Sequence, residues 1–142
     1  MKVAIITDQH FGFKKGSKLW LDYFQKFYDD IFLPTLEKHG IDTILDLGDT
    51  FDNRKGVDLC SLNWAKDNYF DPIRDKGMSM ISIVGNHTAF YKNTNDINTI
   101  DLMLREYKNI RILEECEEIT VGGLPILFIP WINAENNTTT YK

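Results

Sequence analysis

Short runs of apolar and β-branched residues recur along the chain, each bounded by glycine or polar residues. They cover residues 3–7, 43–47, 78–84 and 110–113. Because each run is apolar on both of its faces, the pattern is typical of strands buried in a parallel sheet. Two later runs, at residues 118–121 and 125–129, flank Gly122 and Gly123 and predict an antiparallel hairpin.

Three helices are predicted between the parallel strands, over residues 18–38, 58–73 and 96–107. Apolar residues at helical spacing predict the inward face of each helix. In the first helix these residues are Trp20, Phe24, Phe27 and Ile31, widened by Leu21, Tyr28 and Phe32. In the second helix they are Leu59, Leu62, Tyr69 and Ile73, and in the third Ile97, Ile100, Leu104 and Tyr107. Ser17 and Asp96 are expected N-caps, and Pro34 should kink the first helix. This alternation predicts an α/β fold with a mostly parallel sheet and flanking helices.

Polar residues with metal-binding side chains follow the first three strands. Asp8 and His10 follow the first strand, Asp49 the second, and Asn86 and His87 the third. Ligands of such sheets bind beyond the carboxyl ends of the strands, where neighbouring strands are about 5 Å apart. Each motif alone is compatible with an ordinary turn, but three in succession at one edge predict a shared site.

Carboxylate, imidazole and amide groups favour manganese, iron, magnesium or zinc over copper(I). A carboxylate such as Asp49 can bridge two cations, and a pair of cations can clamp a phosphate and activate water. Adjacent residues that leave a strand point apart, so His87 is unsuited to share a metal with Asn86. We expect His87 to protonate the leaving group instead.

The length, net charge and cysteine spacing limit the classes of protein to which the chain can belong. A chain of 142 residues suits one domain, and its net charge of −5 argues against a basic surface all round. The two cysteines share no CxxC spacing, so structural zinc is not expected. No signal peptide or run of about 20 apolar residues is visible, which favours a cytoplasmic setting.

Three motifs carry a family resemblance: D-x-H from Asp8, G-D-x-F-D-x-R from Gly48 and G-N-H from Gly85. Together they resemble the first three motifs of the calcineurin-like metallophosphoesterases. The longer segments TDQHFG, GDTFDNRKG, IVGNHTAFYKNTND and LFIPW resemble the SbcD-type DNA repair and recombination nuclease subunits, especially their phage form.

The resemblance implies the N-terminal half of a four-layer αββα fold and hydrolysis of DNA phosphodiesters by two divalent metal ions, usually Mn²⁺, with Mg²⁺ as an alternative. It implies that Asp8, His10 and Asp49 hold metals, with Asp49 bridging. It further implies that Asn86 binds the second metal and that His87 protonates the leaving group.

The resemblance also implies a bacterial or phage-infected host cell, and it implies partners. These are DNA, an SbcC-like ABC-type ATPase with coiled coils, and a second copy of the chain, which would bind through the helices around residues 18–38 and 58–73. Further candidates to support the site or contact DNA are Asp52, Arg54, Lys14, Lys15 and Thr88. A solvated loop is the alternative for the two lysines.

Two departures from the family pattern affect activity. Thr88 stands where the family has an acid after G-N-H, so weaker acid catalysis by His87 is expected. The family's later histidine motifs have no counterpart, since His39 is the only other histidine. We therefore expect residues 1–142 to be the N-terminal portion of a nuclease domain, with little or no nuclease activity alone. The alternatives are a phosphoesterase acting on nucleotides or other phosphoesters, and a non-catalytic dimerisation or partner-binding module.

Overall fold

Four parallel strands form the centre of the computed structural model, which describes residues 1–140. They lie side by side in sequence order, as β1 (Ala4–Ile6), β2 (Thr43–Asp46), β3 (Ser79–Ile83) and β4 (Ile110–Leu113). The register places Ile6 beside Asp46, and Asp46 beside Ser82. The prediction of a mostly parallel sheet with flanking helices is confirmed, and the three ligand-bearing loops leave neighbouring strands at one edge.

The predicted hairpin is also present. Strands β5 (Glu117–Val121) and β6 (Leu124–Phe128) pair in antiparallel fashion. Gly122 and Gly123 have φ angles of 58° and 86°. Glycine adopts positive φ without steric cost, and a two-residue turn of this kind requires it at both positions.

Helix α1 runs in three segments: Lys18–Phe27, a π-helical turn at Tyr28–Phe32, and Leu33–His39. In the wider turn the Leu33 N–H donates to the Tyr28 carbonyl, five residues back. Pro34 follows directly and has no N–H to donate, so the predicted kink takes the form of this turn. Ser17 occupies the N-cap position, but its side chain makes no capping hydrogen bond.

The face that α1 buries agrees with the prediction only in part: Leu21, Tyr28 and Phe32 are buried as expected, but Trp20, Phe27 and Ile31 are not. Its buried side chains are Leu21, Tyr28, Phe32 and Leu36, whereas Trp20, Tyr23, Phe27 and Ile31 are 37%, 68%, 36% and 58% exposed. We call the latter four the α1 band. The helix carries aromatic residues on most of its circumference, so periodicity alone did not identify which of two adjoining faces is packed.

Helix α2 repeats the same construction with Leu59–Ala65, a π-helical turn at Lys66–Phe70 and Asp71–Asp75. The Asp58 carboxylate caps it by accepting the Ser61 N–H at 2.8 Å. Leu59 was predicted to face inward, but it is 82% exposed because it is the first residue beyond the cap.

Two short helices complete the described chain, α3 (Thr99–Leu104) and α4 (Asn137–Thr140). The N-cap of α3 is Asn98, not Asp96, and the Asn98 side chain accepts the Asp101 N–H at 2.8 Å. Ile97 therefore precedes the helix and is 45% exposed, contrary to the prediction. Within residues 1–140 no helix has the length and apolar character needed to cross a membrane.

The two faces of the sheet are covered differently. The helices pack on one face over an aromatic core, in which Phe11, Tyr28, Phe51, Tyr69 and Phe70 are each at most 1% exposed. On the other face the hairpin covers β3 and β4, with Leu45, Leu113 and Phe128 at the centre of that contact. Towards β1 the same face is open, and Ile5 is 63% exposed.

Phe11 is expected to be a major source of stability. Its ring centroid lies 5.6 Å from that of Tyr69 and 6.0 Å from that of Phe51. Phe11→Ala should lower the free energy of unfolding by about 3–5 kcal/mol, since it opens a cavity in a packed core. Urea denaturation gives this value. Leu59→Ala, at an exposed position, is the control and should change stability by less than about 0.5 kcal/mol; equal effects of the two variants would contradict the assignment.

Candidate active site

Three candidate ligands have an unfavourable backbone conformation. Asp8, His10 and Asp49 have φ angles of 54°, 48° and 51°. The left-handed region costs a residue other than glycine about 1–2 kcal/mol. Such residues persist only where the surrounding structure holds them, and they concentrate at functional sites. Asn86, in the third loop, has no positive φ.

The first two loops are paired along their backbones. The Asp8 N–H donates to the Gly48 carbonyl at 3.0 Å, and the His10 N–H donates to the Asp49 carbonyl at 2.9 Å. These bonds continue the pairing of β1 and β2 beyond the ends of the strands. The two ligand loops are therefore held against each other.

The loops bring the ligand atoms of Asp8, His10 and Asp49 within 4.8 Å of one another. The His10 Nε2 lies 3.5 Å from the Asp8 carboxylate. Two carboxylates and an imidazole at this spacing fit a divalent cation. The structure thus brings these three predicted residues together, and their role as metal ligands stays a prediction.

His87 lies beside this cluster. Its backbone N–H donates to Asp49 Oδ1 at 2.9 Å, and its ring centroid is 5.0 Å from that of His10. The His87 Nδ1 lies 2.9 Å from the Asp52 backbone carbonyl, which can only accept. Nδ1 therefore carries a proton, and Nε2 is the nitrogen left for exchange with a bound molecule.

Asp52 connects the two imidazoles. Its Oδ1 lies 3.0 Å from the His10 Nδ1, while its carbonyl accepts from His87. A carboxylate on the far nitrogen of a metal-binding histidine fixes its tautomer and orientation. Asp52, His10 and His87 also place ligand atoms within 4.8 Å of one another.

The third loop approaches Asp49 closely. A Cβ atom at Gly85 would lie 2.2 Å from Asp49 Oδ1, so only glycine fits there. The Asn86 carbonyl accepts from the Arg54 guanidinium at 2.7 Å, and Arg54 lies 5.7 Å from the Trp131 ring. Arg54 thus holds the loop that carries Asn86 beside the cluster.

Thr88 does not contact the imidazole of His87. It is fully buried, and its hydroxyl donates to the Gly85 carbonyl while accepting the Gly85 N–H, both at 2.9 Å. Thr88 therefore closes the turn, and the Asp52 carbonyl orients His87 instead.

Lys14 and Lys15 are exposed on a short turn next to the site. They line a cleft of about 360 Å³ whose opposite side includes Asp52 and Asn53. A second cleft, of about 290 Å³, lies over Asp8 and His10 and has the aromatic rings of Phe13 and Trp20 along its wall.

Sequence reasoning missed Asp46 and Gln9. Asp46 is 1% exposed, beneath the ligand loops, and burial raises the pKa of its carboxyl to about 7. Hydrogen bonds from Gly48 and Thr50 oppose this shift, while the charges of Asp49 and Asp8 add to it. The signal was an acid at the end of an otherwise apolar strand, which is rare without a partner.

Comparison with known sequences gives three matches. The profile of the family described as "Calcineurin-like phosphoesterase" matches residues 1–132. "Exonuclease subunit 1" of Enterobacteria phage T4 is 29% identical over 136 residues, covering 96% of this chain and 40% of that protein. "Putative phosphoesterase 078R" of Invertebrate iridescent virus 3 is 27% identical over 135 residues, covering 93% and 36%. The chain thus spans less than half the length of either relative.

The raised pKa of Asp46 predicts a pH dependence of stability. The unfolded chain releases this proton near the ordinary pKa of 3.8, whereas the folded protein retains it to about pH 7. The contribution of Asp46 to the free energy of unfolding therefore falls as pH rises through that window, by at most about 1.4 kcal/mol per unit. Asp46→Asn should remove this slope.

The measurement is urea denaturation of wild type and Asp46→Asn in EDTA at several pH values. The difference between the two proteins isolates Asp46 from the other carboxylates. Tyr28 on α1, Tyr69 on α2, and Asp8 and Asp49 on the loops are the titratable groups that face it. Parallel pH profiles would show that the Asp46 proton is not retained.

Proposed function

Because the chain belongs to the calcineurin-like phosphoesterase family, we propose that it hydrolyses DNA phosphodiester bonds with the help of divalent metal ions. Family membership supports phosphoester hydrolysis in general. The observation that carries the proposal is the convergence of Asp8, His10 and Asp49 at one edge of a parallel sheet, with His87 beside them.

The donor set fits two divalent metal ions. Asp8 and His10 would hold one, Asn86 would hold the second, and Asp49 would bridge them; Mn²⁺ is proposed, with Mg²⁺ as the alternative. When bound, such ions polarise the phosphate and lower the pKa of water. Asp52 supports this arrangement, because its contact with the His10 Nδ1 leaves Nε2 for a metal.

His87 is proposed as the general acid. Its Nδ1 proton is engaged by the Asp52 carbonyl, so a second proton on Nε2 can pass to the departing oxygen of the phosphodiester. The Asp49 carboxylate holds the His87 backbone N–H and thereby fixes the imidazole relative to the ligands. Removal of this group should slow the chemical step without abolishing metal binding.

The surroundings of the site suit a nucleic acid. Lys14 and Lys15 offer cationic groups for backbone phosphates along the neighbouring cleft. Phe13 offers aromatic surface for a base beside the candidate ligands. The relative described as an exonuclease subunit supports DNA as the substrate, and the relative described as a phosphoesterase keeps other phosphoesters as the second candidate.

The proposed partners follow the family resemblance, together with the word "subunit" in the name of one relative. A subunit works within an assembly, so we propose an SbcC-like ABC-type ATPase as partner, together with a second copy of this chain. The α1 band supports a homodimer, since it exposes Trp20, Tyr23, Phe27 and Ile31 along one side of a single helix.

Asp49→Ala should abolish metal binding and hydrolysis together, because Asp49 is the proposed bridging ligand. Binding of Mn²⁺ is measured by electron paramagnetic resonance. Hydrolysis is measured with the 142-residue chain in excess over end-labelled duplex DNA, and in parallel with p-nitrophenyl phosphate. We expect at most slow cleavage of DNA, a still weaker reaction with the small ester, and no hydrolysis above the metal-only blank in Asp49→Ala.

His87→Ala and His39→Ala form the matched pair of histidine variants. His87→Ala should keep Mn²⁺ binding and lose about 100-fold or more in DNA cleavage. His39 is exposed at the end of α1, so His39→Ala should match wild type in both assays. Undiminished cleavage by Asp49→Ala, or a preference for p-nitrophenyl phosphate, would contradict the proposal.

The homodimer is tested by sedimentation equilibrium. The double variant Tyr23→Glu/Ile31→Glu places two charges in the α1 band and should shift a dimer to monomer. Leu124→Glu, on the hairpin at a position that is 64% exposed, should leave the dimer intact. A wild-type chain that stays monomeric at high concentration, or a double variant that associates as wild type does, would exclude the α1 band as the interface.

A further inference from the structure

A buried carboxylate lies beneath the candidate ligands and contacts both loops that carry them. Asp46 is the last residue of β2 and is 1% exposed. Side chains alternate along a strand, so Asp46 lies on the same face as Ile44, which belongs to the core beneath the helices. Its carboxylate therefore meets the ligand loops from the side opposite to the open site.

The first loop reaches Asp46 through Gln9, which lies between Asp8 and His10 in the chain. Gln9 is 5% exposed, and its Nε2 donates to Asp46 Oδ2 at 3.1 Å. The Gln9 Oε1 accepts from the hydroxyl of Tyr28 on α1. Gln9 therefore connects this loop to both β2 and α1.

The second loop reaches the same carboxylate through the two residues that flank Asp49. The Gly48 N–H donates to Asp46 Oδ1 at 3.1 Å, and the Thr50 hydroxyl donates to Asp46 Oδ2 at 2.9 Å. Thr50 is 1% exposed, so water does not compete for its hydroxyl. A change at Asp46 would release donors of both loops at once.

These contacts act where the backbone is under strain. The left-handed conformations of Asp8, His10 and Asp49 have a steric cost that other interactions must offset. Buried hydrogen bonds are costly to lose, because a donor left without its acceptor has no water to replace it. The donors to Asp46 come from residues directly adjacent to these ligands in the chain, so they act on the strained backbone itself.

We propose that Asp46 is a positioning residue for the candidate metal site and that its hydrogen bonds hold both ligand loops in their left-handed conformations. The consequence for metal binding rests on the proposed function. Asp46 contacts the neighbours of the ligands, so it acts through the loops alone.

Two substitutions separate hydrogen bonding from charge. Asp46→Leu removes every acceptor and leaves the donors of both loops unpaired. Asp46→Asn keeps the shape: its oxygen can accept from Gly48, and its NH₂ can donate to Thr50 and to a Gln9 amide that has turned over. If hydrogen bonding positions the loops, Asp46→Asn should keep the loop pairing and the metal affinity that Asp46→Leu loses.

The first measurement is amide hydrogen exchange in metal-free protein, which does not depend on the proposed function. The amides of His10 and Phe11 donate to the Asp49 and Thr50 carbonyls between the loops. In Asp46→Leu they should exchange at least about tenfold faster, while Met80 in β3 serves as the internal reference. In Asp46→Asn they should stay within about threefold of wild type.

The second measurement is Mn²⁺ affinity by electron paramagnetic resonance. Asp46→Leu should bind Mn²⁺ about tenfold more weakly, and Asp46→Asn should bind as wild type does. Ser82→Ala is the matched control for a buried change, because Ser82 pairs with Asp46 across the sheet and its hydroxyl has no hydrogen-bond partner within residues 1–140. It should leave both measurements unchanged.

If Asp46→Leu fails to fold, Gln9→Met and Thr50→Val each release one loop and should speed exchange of His10 and Phe11. If the His10 and Phe11 amides exchange at the wild-type rate in folded Asp46→Leu, or in both single-loop variants, then Asp46 does not hold the loops. Asp49→Ala provides the separate check on function. Mn²⁺ binding that survives Asp49→Ala overturns the proposed metal site, while the exchange rates still decide whether Asp46 holds the loops.

Discussion

The site depends on two neighbouring loops that stay in a backbone conformation that most residues avoid. Asp8, His10 and Asp49 all have positive φ, and a ligand set built on them exists only while the loops remain paired. Backbone hydrogen bonds between the loops provide part of the restraint. The rest of the restraint comes from the core beneath the site, because side chains that alternate with the ligands along each loop point into it.

Aromatic packing supplies that lower restraint. Phe11 and Phe51 pair directly across the two loops, immediately beyond the ligands, and both rings are buried in the core beneath α1 and α2. Each loop thus places polar groups on one side and an aromatic ring on the other. Burial of a side chain of this size stabilises the fold by about 1.5–3 kcal/mol, enough to offset a left-handed residue. Stability of the core and geometry of the site are therefore linked through the same short segments.

The sequence was sufficient for the elements and for the edge at which the ligands meet, because buried strands alternated with helices and the polar residues stood at strand ends. The sequence did not identify the buried side chains of a helix where more apolar residues fitted the helical period than the core could take. Leu59 and Ile97 fit the helical period yet lie next to helix starts, and the caps that set those starts are local hydrogen bonds. Asp46 was overlooked for a related reason. Its partner Gln9, and the Tyr28 hydroxyl that donates to Gln9, come from distant parts of the chain and meet only in the fold.

Asp52 couples the two histidines more tightly than either motif suggests alone. Its carboxylate engages His10 and its carbonyl engages His87, so one residue sets the orientation of a candidate ligand and of the candidate acid. The backbone of Asp52 is itself fixed, because its N–H donates to the Phe11 carbonyl at 3.0 Å. A displacement of the first loop would therefore move Asp52 and both imidazoles together. This shared support explains how the geometry of His87 can survive without an acid at position 88: the turn needs only the Thr88 hydroxyl, and the imidazole takes its orientation from the second loop.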